Sequence, residues 1–233
     1  VPGNIALAAK AHGAHGRLPW AALFAPAIKL AREGFVITPR LHLMLTNNAR
    51  TAGFDPAGRK LFYGADGAPL AVGTLVTNPA LADTLDAVAT QGPKAFYAGA
   101  HPKAIVAKVT TAAREPAPMV ESDITAYTVK DREPVCATYR KYKICSMGPP
   151  SSGATTLLAT LIQLERFDLK ALGKDSIEAW HLIAESERLA YADRARYSAD
   201  PDFVAVPVAG MIDRGYLAKR SAAISATATL PKA

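Results

Sequence analysis

The sequence predicts an α+β fold, within the broad α/β class, in which helices dominate and some strands are expected. Apolar residues recur at helical spacing along most of the 233-residue chain. The β-branched and aromatic residues typical of strands cluster between residues 127 and 144. Half of the residues are hydrophobic and a fifth are charged, as in globular proteins that bury a sizeable core.

The first half of the chain predicts a series of short helices. Residues 18–34 carry an apolar stripe at three- and four-residue spacing, and Pro26 is expected to divide them into two helices. Thr38-Pro39 and Asn78-Pro79 are typical helix starts. Residues 53–75 are rich in glycine and proline and predict a surface loop. Further short helices are predicted at residues 94–97, 101–113 and 121–124.

The second half begins with a predicted β-hairpin over residues 134–144. With Arg140 and Lys141 at a two-residue turn, Cys136 lies directly opposite Cys145. A cross-strand disulfide is therefore geometrically feasible, and two free buried thiols are the alternative. A strongly apolar helix follows at residues 155–164.

Ser176 is a good N-cap for a long helix that runs from Ile177 to about residue 197. We expect its inward stripe to include Ile177, Trp180, Ala184 and Tyr191. The tail, residues 222–233, has little to pack and is expected to be mobile.

His181 and Glu185 lie one turn apart on this helix, so both could face one metal ion. A metal site needs further ligands, and the sequence has no second cluster. The preferred interpretation is therefore a solvated face, with Arg188 one turn beyond Glu185. No metal is predicted.

Composition excludes several classes of function. No apolar run is long enough to span a bilayer, so no membrane span is predicted in this chain. The net charge of +7 could suit nucleic acid, but the basic residues are scattered and are not interleaved with aromatic residues. We therefore expect no nucleic-acid partner.

A loop with a possible binding role follows the hairpin and opens the apolar helix. It consists of Pro149, Pro150, Ser151, Ser152 and Gly153. Backbone N–H groups and the helix dipole at such a helix start favour an anion or a carboxylate. Simple capping of the helix by the serines is the alternative.

Several stretches of the sequence resemble the γ-glutamyltransferase (γ-glutamyltranspeptidase) family. Residues 142–154 read Y-K-I-C-S-M-G-P-P-S-S-G-A beside the family's Y-S-M-P-P-P-S-S-G-G. Residues 190–203 read A-Y-A-D-R-A-R-Y-S-A-D-P-D-F beside A-Y-A-D-R…Y-L-G-D-P-D-F. The V-P-G at residues 1–3, the G-R-L-P-W at 16–20 and the L-F-A-P-A-I at 23–28 are similar to family segments too. Their order and spacing make the resemblance specific.

The resemblance implies an N-terminal-nucleophile hydrolase with an αββα sandwich made from two chains cut from one precursor. This chain would be an incomplete large subunit, a single domain over residues 1–233, and its partner a small subunit with an N-terminal threonine. The resemblance further implies that the amino group of that threonine acts as the base and that an oxyanion hole stabilises the intermediate. The expected substrates are glutathione or other γ-glutamyl amides, with water, amino acids or peptides as acceptors. The expected location is periplasmic or secreted, and no cofactor is expected.

The resemblance places no catalytic residue on this chain. The family's nucleophile stands in a T-T-H context, whereas Thr110-Thr111 precedes Ala112 and Thr155-Thr156 precedes Leu157. The loop at residues 149–153 is expected to line the substrate cleft. Two alternatives remain open: a non-catalytic structural or binding relative without an active partner, or a related acylase acting on β-lactam side chains.

Overall fold

The structure, a computed structural model, describes residues 1–232. The chain forms two compact units, Val1–Val129 and Lys130–Ala233. Both are rich in helices, and each contains one two-stranded antiparallel sheet. This confirms the predicted α+β class, whereas a single domain over residues 1–233 stays a prediction.

The helices and strands of the first unit are short. They are α1 (Asn4–His15), a 3₁₀ turn (Trp20–Leu23), α2 (Ala25–Glu33), β1 (Phe35–Val36), α3 (Pro39–Asn47), α4 (Ala49–Ala52), α5 (Pro56–Phe62), β2 (Leu75–Val76), α6 (Pro79–Gln91), α7 (Lys94–Tyr97), α8 (Ala100–Thr110) and α9 (Glu121–Thr125). The predicted starts at Thr38 and Asn78 are confirmed, because each side chain accepts a hydrogen bond from a backbone N–H of the first helical turn.

The prediction of a surface loop over residues 53–75 is wrong for its first half. Asp55 caps α5 by accepting a hydrogen bond from the N–H of Ala57, and Pro56 occupies the first turn. The residue after this helix, Tyr63, is buried in the core of the unit with Ile37 and Val76. A helix start at Asp55-Pro56 therefore outweighs the high glycine content of the segment.

The second unit is built around α10. Its elements are β3 (Val135–Tyr139), β4 (Tyr142–Ser146), α10 (Gly153–Leu164), α11 (Leu169–Leu172), α12 (Ile177–Tyr197), α13 (Val208–Met211) and α14 (Arg214–Ala222). Helix α10 contacts the hairpin, α12 and α14. Most of its residues are buried between these elements, and Leu157 is a large apolar side chain that stays 45% exposed.

The predicted hairpin and its register are confirmed. Cys136 pairs with Cys145 across the strands, and the two sulfurs form a disulfide. Arg140, the first turn residue, has a positive φ of 53°. Its backbone N–H donates to Oε1 of Glu165, just beyond α10, which fixes the turn to the end of that helix.

The predicted inward stripe of α12 is wrong. Ile177, Trp180 and Tyr191 are 88%, 63% and 56% exposed, and Ala184 is exposed as well. The buried face is the other one: Ala179, Leu182, Glu185, Ser186, Leu189, Ala190 and Asp193. The face that packs against α10 combines small residues with Leu182 and Leu189, and the stripe with Trp180 and Tyr191 is left uncovered by the described residues.

The segment predicted as a mobile tail makes defined contacts up to Leu230. Ile224 is buried against Leu164 and Leu182, and Leu230 packs on the same apolar cluster. The mobility of residues 222–233 itself stays a prediction.

Candidate functional site

The loop at residues 149–153 connects β4 with α10 in a compact turn. The peptide bond between Pro149 and Pro150 is cis. The N–H of Ser151 donates to the carbonyl of Gly148 at 3.1 Å, and the N–H of Gly153 donates to the hydroxyl of Ser151 at the same distance. The side chain of Ser151 therefore caps the start of α10, as the capping alternative predicted for the serines. The side chain of Ser152 makes no capping hydrogen bond.

Ser152 instead accepts a hydrogen bond from a residue far along the chain. Nε of Arg194, in the last turn of α12, donates to Oγ of Ser152 at 2.7 Å. Together they border an open surface pocket of about 400 Å³, whose other lining residues are Pro150, Ser151, Ala195 and Ser198. The structure thus brings three of the five predicted loop residues to one pocket, and Pro149 and Gly153 are not among its lining.

Two sources of positive potential meet at this pocket. The start of α10 carries the positive end of the helix dipole, and Arg194 carries a full charge. Arg194 lies at the C-terminal end of α12, where the helix dipole is negative. This dipole partly offsets the repulsion between Arg194 and the positive end of the α10 dipole. A guanidinium group that uses Nε for a serine still has four N–H donors, and these suit a carboxylate. The pocket can therefore accept an anion.

The residue before Arg194 has a structural role. Asp193 is buried, accepts a hydrogen bond from the hydroxyl of Tyr216 at 2.9 Å and pairs with Arg220 at 3.1 Å, which fixes α14 to α12. Burial, followed by the bond to Asp193, raises the pKa of Tyr216 above its ordinary value of 10.0. Consecutive residues of the A-Y-A-D-R motif thus serve the core and the pocket.

The predicted solvated face at His181 and Glu185 is wrong for Glu185. This carboxylate is only 3% exposed and pairs with Arg188 at 2.7 Å, while His181 contacts the carbonyl of Ser225 at 3.0 Å. Within residues 1–232 no group of three potential ligands could hold a metal ion.

Sequence reasoning missed Arg194 as a partner of the loop. The two residues are 42 positions apart, so no local spacing connects them. The available signal was indirect: both belong to the stretches that carry the family resemblance. Among the same residues, no helix is both long enough and apolar enough to cross a membrane.

Comparisons with known proteins agree on one family. The family model described as gamma-glutamyltranspeptidase matches residues 1–233. The chain is 38% identical over 225 residues to an acylase ACY 1 proenzyme of Pseudomonas sp. (strain V22), covering 97% of this chain and 40% of that protein. It is 34% identical over 215 residues to the glutathione hydrolase proenzyme of Escherichia coli (strain K12), covering 92% of this chain and 37% of that protein.

A solved structure agrees with this result. The crystal structure of Helicobacter pylori gamma-glutamyltranspeptidase superposes with a TM-score of 0.84 at 35% identity, covering 99% of this chain and 65% of that one. The likeness confirms the expected N-terminal-nucleophile hydrolase fold class for this helix-rich part. The chain spans about two fifths of the length of the curated relatives it matches. With the family model matching from the first residue to the last, the chain belongs to the gamma-glutamyltranspeptidase family.

Proposed function

We propose that this chain is most of the large subunit of a γ-glutamyltransferase or glutathione hydrolase. The γ-glutamyl group of glutathione or a related amide passes to a threonine at the N-terminus of a separate small subunit, and then to water, an amino acid or a peptide. The small subunit comes from the same precursor. The observation that carries the proposal is the likeness to a gamma-glutamyltranspeptidase over 99% of the chain.

The pocket at the start of α10 supports a role in the substrate cleft. Its lining is polar, and Arg194 and the helix dipole both favour a negative group. Glutathione and amino-acid acceptors carry carboxylates at neutral pH. We assign to Ser152 and Arg194 the binding of one such carboxylate, and to residues 149–153 the lining of the cleft.

The uncovered face of α12 supports a partner chain. Ile177, Trp180, Ala184 and Tyr191 repeat at intervals of three, four and seven residues, which forms one stripe along the helix. A stripe that exposes the large apolar side chains of Ile177, Trp180 and Tyr191 is typical of an interface. We propose that the small subunit covers it.

The disulfide supports a periplasmic or secreted location. Disulfides persist in oxidising compartments and are rare in the cytosol. The bond between Cys136 and Cys145 joins two strands of a hairpin and is stable only where thiols are not kept reduced.

A second candidate function is the deacylation of β-lactam side chains. The specific observation in its favour is the identity of 38% with an acylase proenzyme, against 34% with the E. coli glutathione hydrolase. Both candidate functions would come from the same kind of precursor, because the acylase relative and the glutathione hydrolase relative are each named a proenzyme. They differ in the acyl group that the cleft accepts.

The deciding experiment expresses the complete precursor and measures its products and activity. Intact-mass analysis and N-terminal sequencing are expected to find a second chain that begins with threonine. The processed enzyme is expected to cleave a γ-glutamyl anilide faster than a cephalosporin side-chain amide. The reverse preference would favour the acylase function. A precursor that is not cleaved and has no activity would indicate a non-catalytic relative.

A further inference from the structure

An ion pair on α12, between the buried Glu185 and the partly exposed Arg188, holds the backbone of one residue near the end of the chain. Oε2 of Glu185 accepts the N–H of Leu230 at 2.8 Å, and Nη2 of Arg188 donates to the carbonyl of the same residue at 3.0 Å. Oε1 of Glu185 accepts Nη1 of Arg188 at 2.7 Å. The three bonds close a ring between the ion pair and a single peptide residue.

This ring reproduces the pairing of two strands in an antiparallel sheet. There, a residue presents its N–H and its C=O to the same side and exchanges both with one residue opposite. The ion pair takes the place of that opposite residue, with the carboxylate as acceptor and the guanidinium as donor. Pro231 favours an extended backbone at Leu230, which is the conformation that aligns the two groups.

Two other side chains, one on α12 and one just after α10, each bind a backbone carbonyl of the tail ahead of a bend at residues 226–228. Nη2 of Arg166 donates to the carbonyl of Ile224 at 2.6 Å, and Nε2 of His181 lies 3.0 Å from the carbonyl of Ser225. The side chains of Ile224 and Leu230 enter one apolar cluster. Polar side chains therefore bind the backbone, and the cluster binds the two apolar side chains.

We infer that the Glu185–Arg188 pair of α12 is a binding site for the backbone of one residue in extended conformation, occupied in this chain by Leu230. The ligand class is a peptide segment in which a large apolar residue directly before proline is extended. Since recognition is through the backbone, the site requires the free N–H of this residue and tolerates other side chains around it. This site goes beyond the proposed function, which does not depend on it.

The first test measures amide hydrogen exchange of residues 224–232 in the full chain. Glu185→Gln and Arg188→Met are each expected to speed exchange at Leu230 by roughly tenfold or more, because both remove a charge-assisted part of the ring. Glu187→Gln is the matched control, since Glu187 is exposed on the same helix. Unchanged exchange at Leu230 in both ring variants would overturn the inference.

The second test asks for binding in trans. Leu230→Pro removes the anchoring N–H and empties the site, so a labelled peptide with the sequence of residues 226–232 should bind this variant roughly tenfold more tightly than the wild type. The double variant that combines Leu230→Pro with Glu185→Gln should lose this gain in affinity for the peptide. Equal binding to the single and double variants would also overturn the inference. If circular dichroism shows that Glu185→Gln does not fold, Arg188→Lys replaces it. Lysine keeps the charge but lacks the planar pair of N–H donors that binds Glu185 and Leu230 together.

Discussion

At the residue scale, the polar side chains with defined roles have partners far along the chain. Ser152 is held by Arg194, Asp193 by Tyr216 and Arg220, and the hairpin turn by Glu165. Without its partner, each of these groups would be either an ordinary surface group or a buried charge with a desolvation cost. The partner therefore determines the role of the group. Substitution of one partner is therefore informative about the other.

Arg194→Ala in the processed enzyme is expected to raise the KM for the γ-glutamyl donor or the acceptor. A charge-assisted pair with a carboxylate would be lost, so the expected increase is about tenfold, with kcat changed less. Steady-state kinetics with both substrates would measure this. Arg196→Ala, on the same turn of α12, is the control. An unaltered KM for every substrate would contradict the assignment of Arg194.

Glu165 gives a prediction about pH. The hydrogen bond from Arg214, together with the N–H of Arg140, holds the pKa of this carboxylate below its ordinary value of 4.5. The unfolded chain therefore binds the proton more readily, so the stabilisation is present above the ordinary pKa and is lost as the pH falls through the lower folded pKa.

Glu165→Gln is accordingly expected to lower the free energy of unfolding at pH 7 by about 1 kcal/mol, since the pair is partly exposed. The difference from the wild type should shrink below the ordinary pKa of the carboxylate. Denaturant unfolding of both proteins at several pH values measures it. A difference that stays constant down to the most acidic value would show that charge is not its cause.

At the element scale, the hairpin of β3 and β4 has three supports. Two strands alone are marginally stable in water, and here α10, the Glu165 contact at the turn and the disulfide support the pair. The disulfide closes a short loop, because its cysteines are nine positions apart. Only part of the stability of the hairpin therefore depends on oxidation.

Replacing Cys136 and Cys145 together by serine is expected to lower the free energy of unfolding by about 3 kcal/mol or less, from the entropy of closing a loop of this size. Thermal unfolding with and without reductant measures the effect. The reductant should destabilise the wild type and leave the variant unchanged. A wild type that is insensitive to reductant would mean that the bond does not stabilise the fold.

The exposed stripe of α12 leads to a prediction on assembly. Trp180→Asp places a charge in the stripe and should weaken association with the small subunit by roughly tenfold or more, as expected for an aromatic residue at the centre of an interface. The fold of the chain should survive, because Trp180 is mostly exposed. Co-purification of the two chains and circular dichroism would test both parts.

Glu178→Ala, in the first turn of the same helix, is the control for this experiment. If Trp180→Asp co-purifies with the small subunit as well as the wild type does, the stripe faces solvent or another partner. The association would then depend on a different surface.

At the scale of the whole molecule, this chain belongs to a family whose complete members are much longer. We predict that the isolated chain is inactive towards γ-glutamyl anilides and poorly stable, because apolar faces that the small subunit would cover are in water. Activity and thermal unfolding of the chain alone, compared with the processed enzyme, measure both. Cleavage of a γ-glutamyl anilide by the chain alone would contradict the assignment of the nucleophile to a separate subunit.

The sequence by itself determined the helix starts at Thr38, Asn78 and Ser176, the hairpin register and the family. These depend on local chemistry: Thr38, Asn78 and Ser176 cap the helices that follow them, and alternation fixes which cysteine faces which. Ordered motifs over the whole chain identify the family without any coordinates.

Only the tertiary structure decided which face of α12 is buried and which residues share a site. Hydrophobicity predicted that Trp180 and Tyr191 point inward, yet the face that packs against α10 is the one with Leu182, Leu189 and several small residues. Likewise, Arg194 meets Ser152 and Glu185 meets Leu230 across 42 and 45 positions. The physical reason is that burial and long-range pairing depend on the packing of several elements at once, whereas propensity and periodicity describe one element at a time.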